Sequence, residues 1–179
     1  MLYVVTGLGR SGTSMMMNAL ANGGLDAEFT PKGSDKWVGD YHPNRDGYFE
    51  LRADQVKLRE FPKPFDGKLI KVPFHKIRTM HIIPMRVVFM KRDFDEVRIS
   101  YKKLNEHRAK QSGITLERHI LEMNTITSYL ERVSDDYIEI WYKDVLENPL
   151  ECFEAIRSHG FPIDPVKCAE IPEKGLCHF

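Results

Sequence analysis

Eight residues near the start of the chain carry the clearest chemical signature: Gly7-Leu8-Gly9-Arg10-Ser11-Gly12-Thr13-Ser14. Their spacing, Gly-x4-Gly-x-Ser/Thr, is that of a phosphate-binding Walker A loop. The glycines let the backbone curl so that consecutive N–H groups converge on one point. A helix opening behind the loop adds its positive end. Thr13 and Ser14 place hydroxyls at that helix start, and Arg10 adds a cation. The chemistry is recognition of a small anion. The plainer reading is a Gly-rich turn with a helix cap; the apolar strand before the loop and Arg10 within it favour the anion site.

A second set of residues has the same character. Arg92 stands at the carboxyl end of an apolar run, 85–90, and Ser100 follows eight residues later, about two helical turns on. If Arg92 sits just before a helix and Ser100 on its inner face, both reach one phosphate. The alternative is a Walker B strand ending at Asp93, with Arg92 and Ser100 on solvated helix faces. Lys71, at the end of the run 68–72, is a further cation.

Positioning these groups requires strands that deliver loops to one edge. The run 2–6 is short, apolar and rich in β-formers, as in a strand buried on both faces of a parallel sheet. The runs 68–72, 85–90 and 137–142 are three more strand candidates. Helical spacing covers 14–22, 51–61, 93–110, 115–133 and 149–159, with stops at Gly23-Gly24, at Pro62 and Pro64, and at Gly160. Strands alternate with helices, so the expected class is α/β: a P-loop fold with a mostly parallel central sheet flanked by helices, one domain over 1–179. Ligands in such folds bind beyond the carboxyl ends of the strands. Residues 30–49 read as a long functional loop.

Composition sets outer bounds. With 179 residues and 42% hydrophobic content the chain can bury a core. Lys plus Arg number 26 against 26 Asp plus Glu, which argues against a dedicated nucleic-acid or membrane-surface binder. The neutrality is uneven: residues 57–108 hold 14 cations and 6 acids, a net of +8, flanked by −2 before and −6 after. A positive middle suits a small anionic ligand. Cys152, Cys168 and Cys177 form no CxxC pair, so neither a disulfide framework nor a zinc site is expected, and a reducing compartment is. No signal peptide and no apolar stretch of the roughly 18–20 residues that span a bilayer is visible. The expectation is a soluble cytoplasmic protein.

The departure from Walker A narrows the ligand. A nucleoside triphosphatase carries Lys where Thr13 stands; here the cation is three residues earlier, at Arg10. A donor with one 5′-phosphate and a singly charged sulfonate is served by backbone N–H groups, hydroxyls and one or two cations without a metal. Arg10-Ser11-Gly12-Thr13-Ser14 resembles the 5′-phosphosulfate loop of sulfotransferases that use 3′-phosphoadenosine 5′-phosphosulfate (PAPS), where the position of Arg10 is Lys or Arg. The resemblance implies that Gly9 through Ser14 bind the 5′ end. Arg92 and Ser100 match the family's 3′-phosphate motif, Arg-x7-Ser after a hydrophobic strand. Trp141-Tyr142-Lys143-Asp144-Val145-Leu146-Glu147-Asn148-Pro149 is similar to its Tyr-Glu-Asp-Leu-x-x-x-Pro segment, and 156–163 to a helix with a Leu-Gly-Leu-Pro-like end; both read as mainly structural. Glu173-Lys174-Gly175 is a partial echo of the C-terminal Arg-Lys-Gly motif, which makes Lys174 and Gly175 candidate donor contacts beside the reading as a charged tail.

The expected function is therefore transfer of the sulfuryl group from PAPS to a hydroxyl or amine of a small-molecule or saccharide acceptor, leaving the bisphosphate PAP. Such transfer needs an in-line acceptor, a base, and positive charge at the leaving oxygen. Arg10 is the first choice for that charge, and Lys71, which resembles the Lys of the family's Lys-Thr-His segment, the second. The His of that segment falls on Pro73 here. His75, two residues on, and Glu50, in a Gly-Tyr-Phe-Glu segment like that of many bacterial members, are the candidate bases. Apolar Tyr48 and Phe49 would raise the pKa of Glu50. Its plainer role is a first-turn acid on the helix 51–61. His42 is a third option. Trp37, Tyr41, Tyr48 and Phe49 can wall an acceptor pocket. Met15, Met16 and Met17 read as core packing, and His107, His119 and His159 as surface residues. Two other readings stay open: a small-metabolite kinase with a P-loop, and a non-catalytic PAP- or nucleotide-binding module.

Overall fold

A computed structural model describes residues 1–28, 65–77, 84–108, 115–133 and 136–172. Four strands form one sheet: β1 (Leu2–Gly7), β2 (Leu69–Lys71), β3 (Met85–Lys91) and β4 (Tyr137–Trp141), in the order β2-β1-β3-β4. Every pairing is parallel. The class is the α/β arrangement that the alternating pattern predicts. Leu2, Val4 and Val5 are all buried, the signature of a central strand covered on both faces.

The helices are α1 (Thr13–Asn22), α2 (Phe74–Ile77), α3 (Phe94–Arg108), α4 (Leu116–Val133), α5 (Tyr142–Glu147), α6 (Pro149–Ser158) and α7 (Pro165–Ala169). Side chains alternate across the strands and so divide the core in two. Val5, Val88, Met90 and Ile140 pack with Met16, Met17 and Leu20 of α1 and with Phe153 and Ile156 of α6. Val4, Ile70, Val87 and Phe89 pack with Ile126, Tyr129 and Leu130 of α4 on the other face. Met16 and Met17 are fully buried, as their reading as core residues requires. Each contributes about 1.5–3 kcal/mol of burial, which pins the helix behind the Gly-rich loop to the sheet.

The register aligns the edge that carries the candidate residues. Val5 lies opposite Lys71, Gly7 opposite Met90, and Lys91 opposite Trp141. The loop after β1, the residues after β2, and the start of α3 therefore emerge side by side.

Several boundaries move. Gly7 extends β1, and Tyr142, read as strand, opens α5 because the ladder to β3 ends at Trp141. The helix predicted over 93–110 starts one residue later, at Phe94, since Asp93 is its cap: its carboxylate accepts from the N–H groups of Asp95 and Glu96. The helix is described to Arg108, and 109–110 lie outside the described residues. Helices α2 and α7 are additional. The second carries a legible start, with Asp164 accepting from Val166 and Lys167 and Pro165 in the first turn. The predicted helix 51–61 and the loop 30–49 lie outside the described residues.

Candidate functional site

The Gly-rich loop owes its shape to contacts that leave no room for side chains. A Cβ at Gly7 would lie 2.5 Å from Ser11 Oγ and 2.7 Å from the Met90 carbonyl oxygen. One at Gly12, where φ is 90°, would lie 2.4 Å from the Tyr142 ring. Ser11 is buried, and both its N–H and its hydroxyl donate to the Leu8 carbonyl, at 3.2 and 2.7 Å. Its side chain holds the curl of the loop. Helix α1 follows Gly12 as its N-cap, without a side-chain cap and without an acid in its first turn. Its positive end is thus offered to the space in front of the loop.

Arg10 is held in the left-handed region, at φ 70°, the one described non-Gly residue there. That conformation costs a side-chain-bearing residue roughly 1–2 kcal/mol. Two bonds hold it. Arg10 Nε donates to Ser100 Oγ at 2.8 Å, and the Arg10 carbonyl accepts from Arg92 Nη1 at 2.8 Å. A non-Gly residue held in this region by distant partners marks a position where geometry matters more than ease of folding.

Arg92 and Ser100 are both buried, at 7% and 5% exposure. The solvated-face alternative for these two residues therefore does not describe the fold. Arg92 Nε pairs with Glu96 at 3.0 Å, and its guanidinium lies 4.0 Å from the centre of the Tyr142 ring. The carboxylate and the aromatic face offset the cost of burying the cation. Lys71, also buried, donates from Nζ to Ser14 Oγ at 3.2 Å. The second strand thus reaches the first turn of α1.

The fold brings Arg10, Ser11, Gly12, Thr13, Ser14, Lys71, Arg92 and Ser100 to one edge. His75 lies within α2, whose backbone is described; its side chain is not. Glu50, His42, Lys174 and Gly175 fall outside the described residues.

Two tyrosines at the site were absent from the sequence-based candidates. Tyr142 packs between Arg92 and Gly12. Tyr101, half-buried, places its hydroxyl 2.2 Å from where a Gly9 Cβ would stand. Burial holds the Tyr101 phenol above its usual pKa, against a smaller opposing pull from Arg10. The signal for Tyr101 was its place next to Ser100; for Tyr142 it was the end of β4 beside Arg92.

His119, expected on the surface, is instead buried. Its ring meets Phe94 edge-on at 5.5 Å, and Nδ1 has no hydrogen-bond partner among the described residues. Burial depresses its pKa, while Asp93 and Glu122 oppose that shift.

Among the described residues, no group of three or more His, Cys, Asp or Glu side chains is arranged to hold a metal ion, and no helix is long and apolar enough to cross a membrane. The arrangement gathers backbone N–H groups, hydroxyls and side-chain cations at one edge, the kinds of group that suit an anion. Comparison with protein-family models, with curated proteins and with solved structures gives no match.

Proposed function

We propose that this chain is a sulfotransferase, moving the sulfuryl group of PAPS to a hydroxyl or amine of a saccharide or small-molecule acceptor by in-line displacement. One observation carries the reading: the two anion motifs, 82 residues apart between Arg10 and Arg92, meet at Arg10. A donor with a charged group at each end of one nucleoside calls for two such motifs side by side.

The residues suit that donor. Gly9 to Ser14 would hold the 5′ end, with Lys71 beside them, and Arg92 and Ser100 the 3′-phosphate. Arg10 supplies positive charge where the leaving phosphate gains negative charge. The base would be Glu50 or His75. Cys152 and Cys168 are free thiols whose pKa burial pushes up to about 11 and about 12, so neither is a ready nucleophile.

A small-metabolite kinase is less well supported. Its Walker B acid would be Asp93, but that carboxylate caps α3. A non-catalytic PAP-binding module would share the donor site and lack transfer.

Mass-detected sulfate transfer from PAPS to a panel of saccharides and phenols, with PAP binding measured by calorimetry, tests the reading. Magnesium-independent PAP binding with transfer supports it. PAP binding without transfer favours the module. Binding of MgATP but not PAP favours the kinase.

A further inference from the structure

We propose that Tyr101 is a ligand contact: its hydroxyl donates a hydrogen bond to an oxygen of the anionic group held by the Gly-rich loop. The idea rests on the loop being an anion site, and its test separates that premise from the identity of the donor.

Three observations place the hydroxyl there. First, it lies against Gly9, where a Cβ would stand 2.2 Å away, so the loop's backbone admits the phenol oxygen only because residue 9 has no side chain. Second, Ser100 and Tyr101 are consecutive on α3 and engage the consecutive loop residues Arg10 and Gly9. The bond from Arg10 to Ser100 sets this turn of α3 against the loop. Third, no hydrogen bond joins the Tyr101 hydroxyl to another described residue, and the residue as a whole is only partly buried. Among the described residues, a ligand at the loop would therefore have no partner of this hydroxyl to displace.

The chemistry follows from the surroundings. A phenol is protonated at neutral pH, and burial moves this one further that way, so the oxygen carries a proton to donate. Arg10 beside it contributes charge, and the phenol contributes direction without a further charge. A hydrogen bond to a charged group is the stronger kind, and losing one weakens binding by about tenfold or more.

The test is calorimetry on the full chain and on Tyr101→Phe, which removes one oxygen and keeps the ring against Gly9. The probes are PAP, adenosine 3′-monophosphate and inorganic pyrophosphate. The expected result is at least about a tenfold loss for PAP and for pyrophosphate, with adenosine 3′-monophosphate unchanged. Unchanged affinity for both PAP and pyrophosphate overturns the proposal. If the unaltered chain binds pyrophosphate but not PAP, the PAPS reading fails, and the loss of pyrophosphate affinity in Tyr101→Phe still upholds the contact. If it binds none of the three, both fall.

A fluorinated tyrosine at position 101 covers the case in which Tyr101→Phe disturbs the loop. Its shape is conserved and its phenol ionises at lower pH. Binding of pyrophosphate should then weaken as pH rises through the lowered phenol pKa, over a range in which the unaltered chain holds its affinity. Identical pH profiles for the two proteins overturn the proposal.

Discussion

Arg10 and Ser100, 90 residues apart in sequence, are joined by a 2.8 Å hydrogen bond from guanidinium Nε to hydroxyl Oγ. A serine oxygen that accepts from Arg10 can still donate its own proton. One hydroxyl can therefore touch the loop cation and a bound anion at once.

Ser100→Ala removes the acceptor and leaves Arg10 Nε without this partner. The expected cost is about 1–2 kcal/mol of stability and at least about a tenfold loss of PAP affinity. Chemical denaturation and calorimetry read the two effects. Ser100→Thr keeps the hydroxyl and should retain more of the affinity.

Arg10→Gly separates strain from function. Glycine accepts φ 70° freely, and the roughly 1–2 kcal/mol so recovered offsets the lost bond to Ser100. The melting temperature should stay within a few degrees by scanning fluorimetry. Sulfate transfer should fall by about 100-fold or more, as when a charge that stabilises a transition state is removed.

Gly12→Ala should destabilise the fold by about 2 kcal/mol or more. Its Cβ would enter the Tyr142 ring at 2.4 Å, and φ 90° disfavours any side chain. Combining it with Tyr142→Leu relieves the clash but not the backbone conformation, so denaturation should show partial recovery. Full recovery would show that the ring, and not the backbone, sets the requirement for glycine.

His119 should make the fold acid-sensitive. Its pKa is depressed below the ordinary 6.5 in the folded chain, chiefly by burial. Below about 6.5 the unfolded chain binds a proton that the folded chain resists, so stability rises with pH through that window and is lost as pH falls. His119→Leu should flatten this slope in urea midpoints measured from pH 7.5 to 5.5. An unchanged slope would assign the acid sensitivity elsewhere.

Much of this was legible in the residues because the signals were local. The run from Leu2 to Gly7 shows its strand by composition, and the glycines and Met16 and Met17 behind it show the loop and the buried helix. Arg92 and Ser100 could be paired by helical spacing. Tyr142 and His119 could not be placed this way. Their surroundings come from segments far off in sequence: Gly12 and Arg92 for the first, Phe94 for the second. Tyr142 read as strand because nothing local marks where the partner strand stops. The candidate bases Glu50 and His75 rested on segment likeness and on neighbouring residue types, signals that say nothing about where a side chain points.

The residues around Arg10 come from positions 10, 12, 92, 100 and 142. No continuous fragment contains them within a single supersecondary unit, so the site exists only once β1, β3 and the chain leaving β4 have associated. Recognition through these residues would thus be a cooperative property of the whole topology. A ligand bound there favours the native ensemble over every partly assembled one, by an amount that grows with the logarithm of its concentration. Truncation at either side of β3 would abolish binding outright and leave no weakened remnant.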